Sequence, residues 1–102
     1  VISLPDLLRL NFSNNSVETL PSWEKTCTLV TIDGSYNKIS SLEPLSGLQQ
    51  QNNVYMDYNE SLQSVESLAK CTVLIQVNVY GTQVSNVKVL TDMGVIVKYD
   101  PT

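Results

Sequence analysis

Histidine is absent from this chain of 102 residues, and only 16% of the residues are charged. Because histidine is the commonest general base and the commonest metal ligand, its absence argues against the usual forms of catalysis and zinc binding. Six basic and ten acidic residues give a formal net charge of −4. A nucleic-acid-binding domain presents a basic stripe, so we expect no nucleic-acid partner.

A long apolar run is also missing. Apolar residues make up 42% of the chain, but no run approaches the ~18 residues of a membrane span. No signal peptide is visible, and the sequence begins without Met, inside an apolar stretch. We expect no membrane span, and we interpret the sequence as a processed or truncated piece of a longer protein.

The chain does contain an unusual apolar spacing between residues 29 and 48. Apolar residues there are separated by 3, 7, 3, 3 and 3 positions, which fits neither the period of a helix nor that of a strand. Asn37 stands two residues before Ile39. This spacing is typical of a leucine-rich repeat.

The same register extends along the chain with a period of 22 residues when Leu29 is counted as repeat position 1. It predicts one domain over 1–102, with repeats at about 7–28, 29–50, 51–73 and 74–95 and partial units at both ends. The third repeat needs one extra residue after Asn59. Each repeat has seven apolar columns, which gives 28 positions in four repeats, and 25 of these positions hold apolar residues. The exceptions are Thr26, Gly34 and Gln51.

Each repeat combines a short strand with a return segment. The first three apolar columns alternate as the inward residues of a strand do, and the columns spaced by three suit a 3₁₀ or extended segment. We therefore predict an α/β-type repeat fold, a leucine-rich-repeat solenoid in which the short strands form a parallel sheet and 3₁₀ or extended segments return the chain. In the last partial unit, Ile96 and Tyr99 fall on the first two apolar columns.

One column of the repeat is polar and holds Asn15, Asn37, Asn59 and then Thr82. A buried Asn has two donors and two acceptor sites for backbone groups that leave the sheet. Because Gly81 precedes the Thr, we expect a different turn in the fourth repeat. Glycosylation of asparagines in Asn-x-Ser sequences is the alternative, although Asn59 should point inward.

Cys27 and Cys71 are two repeats apart. Two strand spacings separate them by about 10 Å, beyond the roughly 7 Å that a disulfide spans between Cα atoms. We predict that both are free thiols and that Cys71 fills the core. Trp23 lies on an apolar column and is predicted to belong to the core as well.

The chain resembles the leucine-rich-repeat family, most closely the 22-residue bacterial type of internalin-like cell-surface proteins. The segments 29–48 and 74–93 carry the resemblance. It implies a right-handed, curved solenoid with the parallel sheet on its concave face and the 3₁₀ or extended segments on its convex face. It also implies a protein-binding role and an extracellular or cell-surface location on a bacterium. Gln51 in place of Leu and Thr82 in place of Asn depart from the family pattern.

A binding surface is expected where residues face outward between the inward columns, at repeat positions 3, 5, 7 and 8. Four of the five tyrosines fall at these positions, among aspartates and asparagines. Tyrosine offers a large, stiff contact area with a polar tip and is enriched at binding hot spots. The predicted partner-binding residues are Arg9, Asn11, Asp33, Tyr36, Asn53, Tyr55, Asp57, Tyr58, Gln76, Asn78 and Tyr80.

The sequence therefore predicts a protein-protein interaction module that binds through its concave face. A structural spacer, a carbohydrate-binding domain and an intracellular regulatory subunit stay open as alternatives, since strand propensity alone also favours exposed tyrosine. The ends lack polar capping units, which solenoids need to cover their cores. We expect end-to-end self-association at high concentration.

Catalytic and metal-binding patterns are weak. Asp33 and Asp100 lie three strands apart, about 14 Å, which is too far for a shared cation. Asp57 and Glu60 are a candidate carboxylate pair for catalysis. No base is visible for a Ser or Cys nucleophile. We expect no enzyme activity, no metal and no cofactor.

Overall fold

Five short strands form one parallel sheet in the computed structural model, which describes residues 8–20, 29–47, 51–84 and 87–99. The strands follow one another across the sheet in sequence order. They are β1 (Arg9–Asn11), β2 (Thr31–Asp33), β3 (Asn53–Tyr55), β4 (Gln76–Asn78) and β5 (Ile96–Lys98). This is the parallel sheet of a leucine-rich-repeat solenoid, as the apolar spacing predicted.

The pairing of the strands gives the length of each repeat. Arg9 pairs with Thr31, Thr31 with Asn53, Asn53 with Gln76 and Gln76 with Ile96. Successive strands are thus 22, 22, 23 and 20 residues apart. The one-residue insertion predicted for the third repeat is present, and the fourth repeat is shorter than the sequence pattern indicated.

Short helices form the return segments. Two 3₁₀ helices span Glu43–Gly47 and Glu66–Lys70, and the fourth repeat has the α-helix α1 (Lys88–Thr91) instead. Ser41 Oγ accepts the Glu43 N–H at 3.2 Å and Ser64 Oγ accepts the Glu66 N–H at 3.1 Å. These hydroxyls satisfy backbone donors that the helix itself leaves free, so each 3₁₀ helix begins at a Ser-x-Glu sequence.

The core lies between the sheet and the return segments and is built from the predicted columns. Its fully buried members include Leu29, Ile32, Ile39, Leu45, Val54, Leu62, Val65, Leu68, Val77 and Leu90. Gly34 occupies a column without a side chain, and there a Cβ would approach the Phe12 ring at 2.8 Å and the Met56 sulfur at 2.9 Å. Neighbouring side chains therefore fill the space that Gly34 leaves.

The end of the fourth repeat differs from the prediction. Ile96 is 49% exposed and Tyr99 36% exposed, whereas Val95 is buried and Val97 packs against the core. The reason is the end of α1, where the Gly94 N–H donates to the Thr91 carbonyl and the Val95 N–H donates to the Leu90 carbonyl. This bonding pattern with a left-handed Gly ends a helix abruptly, and the chain enters β5 two residues early.

The residue at repeat position 8 has a left-handed backbone in all four repeats, so Gly81 does not set its repeat apart in this respect. The residue at repeat position 8 has a positive φ each time: 61° at Asn14, 60° at Tyr36, 58° at Tyr58 and 68° at Gly81. Thr82 also takes over part of the asparagine's role. Its Oγ1 donates to the Val79 carbonyl at 2.7 Å and accepts the Val84 N–H at 3.2 Å.

The asparagine column is inside the molecule where repeats cover it on both sides. Asn59 is fully buried, and its Nδ2 donates to the carbonyls of Gly34 and Met56, both at 3.0 Å. Its Oδ1 accepts the Ile39 N–H at 3.0 Å. Each such amide thus joins two neighbouring repeats, and the inward direction predicted for Asn59 is confirmed.

Cys71 is a buried free thiol, as predicted. The predictions of a core position for Trp23, a free thiol for Cys27 and a distant carboxylate for Asp100 concern residues outside the described ranges.

Candidate binding surface

The outward face of the sheet carries most of the predicted binding residues. In β2, β3 and β4 the middle residue of each strand is buried, and the residues on either side are half-buried. This alternation follows from the pleat of a strand, which turns successive side chains to opposite faces. It places the following predicted residues on one face: Arg9, Asn11, Asp33, Asn53, Tyr55, Gln76 and Asn78.

β5 extends this face beyond the predicted set. Because the fourth repeat is two residues short, Ile96 pairs with Gln76 and Lys98 pairs with Asn78. Ile96 therefore occupies the outward position that a uniform period of 22 residues, counted from Gln76, gives to Lys98. The outward face therefore has an exposed apolar side chain on β5, which a uniform repeat length did not predict.

Two aspartates of the predicted surface hold the turns that follow the strands. Asp33 Oδ1 accepts the Ser35 N–H at 3.1 Å, and Asp57 Oδ1 accepts the Tyr80 N–H of the next repeat at 2.7 Å. The Asp57 N–H in turn donates to Ser35 Oγ at 3.2 Å. Each carboxylate thus accepts a hydrogen bond from a backbone N–H that lies beyond the end of a strand. The two aspartates therefore stabilise the shape of the surface and also give it negative charge.

Tyr36 and Tyr58 form a stacked pair at the rim of the sheet. Their ring centroids are 4.8 Å apart, and the ring planes differ by 17°. The rings are 52% and 47% exposed. Both residues stand at repeat position 8 in adjacent repeats, so the separation of neighbouring strands, about 4.8 Å, brings the rings to stacking distance. The sequence analysis placed both tyrosines on the surface but did not predict that they stack. Their shared repeat position could have indicated the stacking.

The four residues at repeat position 8, here called the position-8 row, are Asn14, Tyr36, Tyr58 and Gly81. All have left-handed backbone, a conformation that costs a residue with a Cβ about 1 kcal/mol or more. Asn and Gly tolerate it, whereas Tyr does so less readily. The Tyr58 ring lies against Gly81, where an added Cβ would overlap the ring. The row therefore holds two strained tyrosines, and Gly81 provides the space for one of them.

Two shallow depressions border these features. One lies at the start of β1, β2 and β3, and the other lies beside the tyrosine pair. The first is lined by Leu8, Arg9, Val30, Thr31, Asn53 and Tyr55. The second is lined by Asn37, Lys38, Tyr58, Glu60 and Ser61.

Burial raises the pKa of the Cys71 thiol, and its Sγ donates to the Leu45 carbonyl at 3.4 Å. Among residues 8–20, 29–47, 51–84 and 87–99 there is no group of three or more Asp, Glu or Cys side chains that could hold a metal ion. Within the same ranges, no helix is long and apolar enough to cross a membrane.

The geometry above, a parallel sheet of short strands joined by 3₁₀ turns and an asparagine column, defines a leucine-rich-repeat solenoid. Solved structures with the same fold include two internalins from Listeria monocytogenes. Internalin C2 superimposes with a TM-score of 0.66 at 24% identity, over 86% of this chain and 43% of that chain. Internalin F superimposes with a TM-score of 0.72 at 16% identity, over 90% of this chain and 29% of that chain.

These structural matches establish an internalin-like leucine-rich-repeat fold, which the sequence resemblance had indicated. Neither a protein-family model nor a curated protein matches the sequence. The chain spans less than half the length of either internalin. The comparison therefore concerns only part of each internalin.

Proposed function

We propose that the chain is a non-catalytic protein-interaction module that binds another protein through the concave face of its sheet. The observation that carries the proposal is the contrast between the two faces of β2, β3 and β4. The inward positions hold the apolar residues Ile32, Val54 and Val77, all fully buried. The outward positions hold a varied set of charged, amide and aromatic side chains, which is the composition of a recognition surface rather than of a repeated scaffold.

The biological setting is part of the same proposal. The internalin-like fold supports a bacterial cell-surface or secreted protein, of which residues 1–102 form a single leucine-rich-repeat domain. The absence of histidine from the chain supports a role without catalysis, because the commonest general base is missing. Self-association through the ends of the solenoid is a second contact that the edge strands β1 and β5 support.

The test is a pull-down from host and bacterial surface extracts with the parent domain and a triple variant of the outward face, Arg9→Ala, Tyr55→Ser and Gln76→Ala. A matched control carries Glu66→Ala, Lys70→Ala and Thr72→Ala, three exposed residues in and beside the second 3₁₀ helix. Circular dichroism checks that both variants fold. We expect a protein that the parent and the control retain and the outward-face variant loses.

Equal retention by all three proteins would move the binding site away from the sheet. If no protein is retained by the parent, the spacer function would replace the binding function.

A further inference from the structure

The depression at the start of β1, β2 and β3 combines a cation with apolar walls. Arg9, the only arginine of the chain, lines it together with Leu8, Val30 and Tyr55. Leu8 is 57% exposed, and Arg9 is exposed as well. We propose that this depression anchors an extended segment of a partner protein, which places an acidic side chain at Arg9 and an apolar side chain against Leu8 and Val30.

The guanidinium of Arg9 can serve a partner because the chain itself does not neutralise it. Within the described ranges, Arg9 takes part in no ion pair. A guanidinium presents five N–H donors in a planar fork that matches the two oxygens of a carboxylate. Hydrogen bonds between charged groups are also roughly twice as strong as those between neutral ones. An acidic side chain therefore gains more at Arg9 than a neutral amide does.

The floor of the depression adds two further donors. Arg9 pairs with Thr31 and Thr31 pairs with Asn53, so the three residues form a row with about 4.8 Å from strand to strand. Thr31 and Asn53 are half-buried, and a hydroxyl and an amide NH₂ group can both donate hydrogen bonds. No carboxylate lines the depression among the described residues. This set of donors suits an anion.

The charges of the outward face are divided along the strands from β1 to β3. Arg9 is the first residue of β1, whereas Asp33 is the last residue of β2 and Asp57 comes two residues after β3. Both aspartates accept backbone N–H groups there. The start of these strands is therefore the positive edge and their end is the negative edge. Such a division directs the carboxylate of a partner towards Arg9.

The apolar wall favours a protein segment over a small anion. The Val30 N–H donates to the Leu8 carbonyl at 2.8 Å, so the two residues are neighbours at the same edge. An apolar side chain of a partner leaves water when it packs against them, and a phosphate ion has no such group. Residues i and i+2 of an extended segment point to the same side. An acidic residue and an apolar residue at that spacing fit a depression of about 410 Å³.

This inference rests on the proposed function and deepens it, because it names the chemistry of the partner segment that the outward face binds. Its test uses defined peptides and does not depend on the pull-down. If the pull-down retains a protein through the outward face and the peptides do not bind, the proposed function stands and the anchor is wrong. If the peptides bind as expected and no protein is retained, the anchor stands and the proposed function is wrong.

The experiment is an NMR amide titration of the labelled domain with the capped peptide acetyl-Gly-Glu-Gly-Leu-Gly-amide. We expect shifts at the amides of Leu8, Thr31 and Asn53. The matched peptide with Gln in place of Glu should bind at least about tenfold more weakly, because it loses the charge-assisted bond. The matched peptide with Gly in place of Leu should also bind more weakly, because it loses the apolar contact.

Protein variants locate the bond at Arg9. Arg9→Gln should weaken binding of the Glu peptide at least about tenfold and leave binding of the Gln peptide nearly unchanged, because only the charged pair is lost. Arg9→Lys keeps the charge without the planar fork and should give intermediate binding. Lys70→Gln removes the same charge from an exposed position of the second 3₁₀ helix and should leave binding of both peptides unchanged. Circular dichroism confirms the fold of each variant.

The proposal is overturned if the Glu and Gln peptides bind equally or not at all, or if folded Arg9→Gln binds the Glu peptide as the parent does. Equal weakening by Lys70→Gln would also overturn it, because net charge would then explain the effect. A further contrary result is a response to acetyl-Gly-Leu, whose carboxylate is at the chain end, without a response to the capped Glu peptide. The depression would then bind a chain terminus.

Discussion

Single buried polar side chains hold neighbouring repeats together in this molecule. Asn59 exchanges three hydrogen bonds with backbone groups of its own repeat and the preceding one, all at 3.0 Å. Asn15, at the first described repeat, is exposed and bonds the carbonyls of Phe12 and Ser13 in its own turn. We therefore expect asparagines at different places in the column to contribute differently to the free energy of unfolding.

Replacing Asn59 by Ala should destabilise the protein by about 3 kcal/mol, since a buried backbone donor and two carbonyls lose a partner. Asn15→Ala should cost less than about 1 kcal/mol, because water can replace its bonds. Urea unfolding followed by circular dichroism measures both. Equal losses for the two variants would contradict the view that the column acts by joining repeats.

Gln51 is a second buried polar residue, and it stands where the repeat pattern has Leu. Its Nε2 donates to the carbonyls of Val30 at 2.8 Å and Asn53 at 3.1 Å. Its Oε1 has no hydrogen-bond partner among the residues that the structure describes. An amide side chain can thus occupy this apolar column because its NH₂ group reaches two backbone carbonyls.

Cys71 should be unreactive while the protein is folded. Its side chain is buried, and desolvation raises the pKa of the thiol, so the reactive thiolate is scarce at pH values where an exposed thiol ionises. Because folding raises the pKa of Cys71, its contribution to stability is fully present below the pKa of the unfolded thiol. That contribution is lost as the pH rises through the higher pKa of the folded thiol.

Alkylation with iodoacetamide, followed by peptide mass spectrometry, measures this protection. At pH 8 in buffer we expect little modification of Cys71, and in denaturing urea we expect complete modification. Fast modification under native conditions would show that the core opens readily at this repeat.

At the scale of the element, the left-handed turn after each strand is the most constant feature of the repeats. Asn14, Tyr36, Tyr58 and Gly81 share it within about ten degrees of φ, although they are four positions with three residue types. The turn is imposed by the need to leave the strand and place Asn or Thr inward one residue later. The side chain at the turn is therefore free to serve another purpose, as the tyrosine pair illustrates.

Gly81→Ala should destabilise the protein more than Gly94→Ala. Both glycines have positive φ, at 68° and 85°, but a Cβ at Gly81 would overlap the Tyr58 ring, whereas a Cβ at Gly94 meets nothing within 4 Å. We expect about 1 kcal/mol for Gly94→Ala from backbone strain alone. For Gly81→Ala we expect about 2–3 kcal/mol, because the ring must also move.

Thermal unfolding measures both losses. In a Tyr58→Ala background the extra cost of Gly81→Ala should disappear, since the ring it meets is gone. If the extra cost remains in that background, Tyr58 does not cause it.

At the scale of the whole molecule, β1 and β5 are the edges of the described sheet. Ile96, in β5, and Ile75, whose carbonyl accepts the Ile96 N–H, are each about half exposed. Edge strands with exposed apolar side chains invite pairing with another chain. We therefore expect a second copy to make contact along β5.

We expect the domain to self-associate at about millimolar concentration, and we expect Ile96→Lys to weaken that association by placing a charge on the edge. Analytical ultracentrifugation over a concentration series measures both. Lys70→Ala, at an exposed position of a return segment, is the control. A domain that stays monomeric at every concentration would contradict the prediction.

The amino-acid sequence by itself determined the architecture, because the repeat has a period that neither a helix nor a strand produces. The register required the residues of one column, Ile32, Val54 and Val77, to face the same core. It also required Asn59 to lie inside the molecule. The outward residues of β1 to β4 followed from the same register, since alternation along a strand is a property of the backbone.

Only the tertiary structure decided where the register breaks and which side chains meet. The Gly94 turn shortens the fourth repeat, because the helix end is closed by backbone bonds that no column pattern describes. The stacking of Tyr36 on Tyr58 depends on a shared left-handed turn and on the space over Gly81. Both features arise from contacts between repeats, and a pattern within one repeat does not contain them.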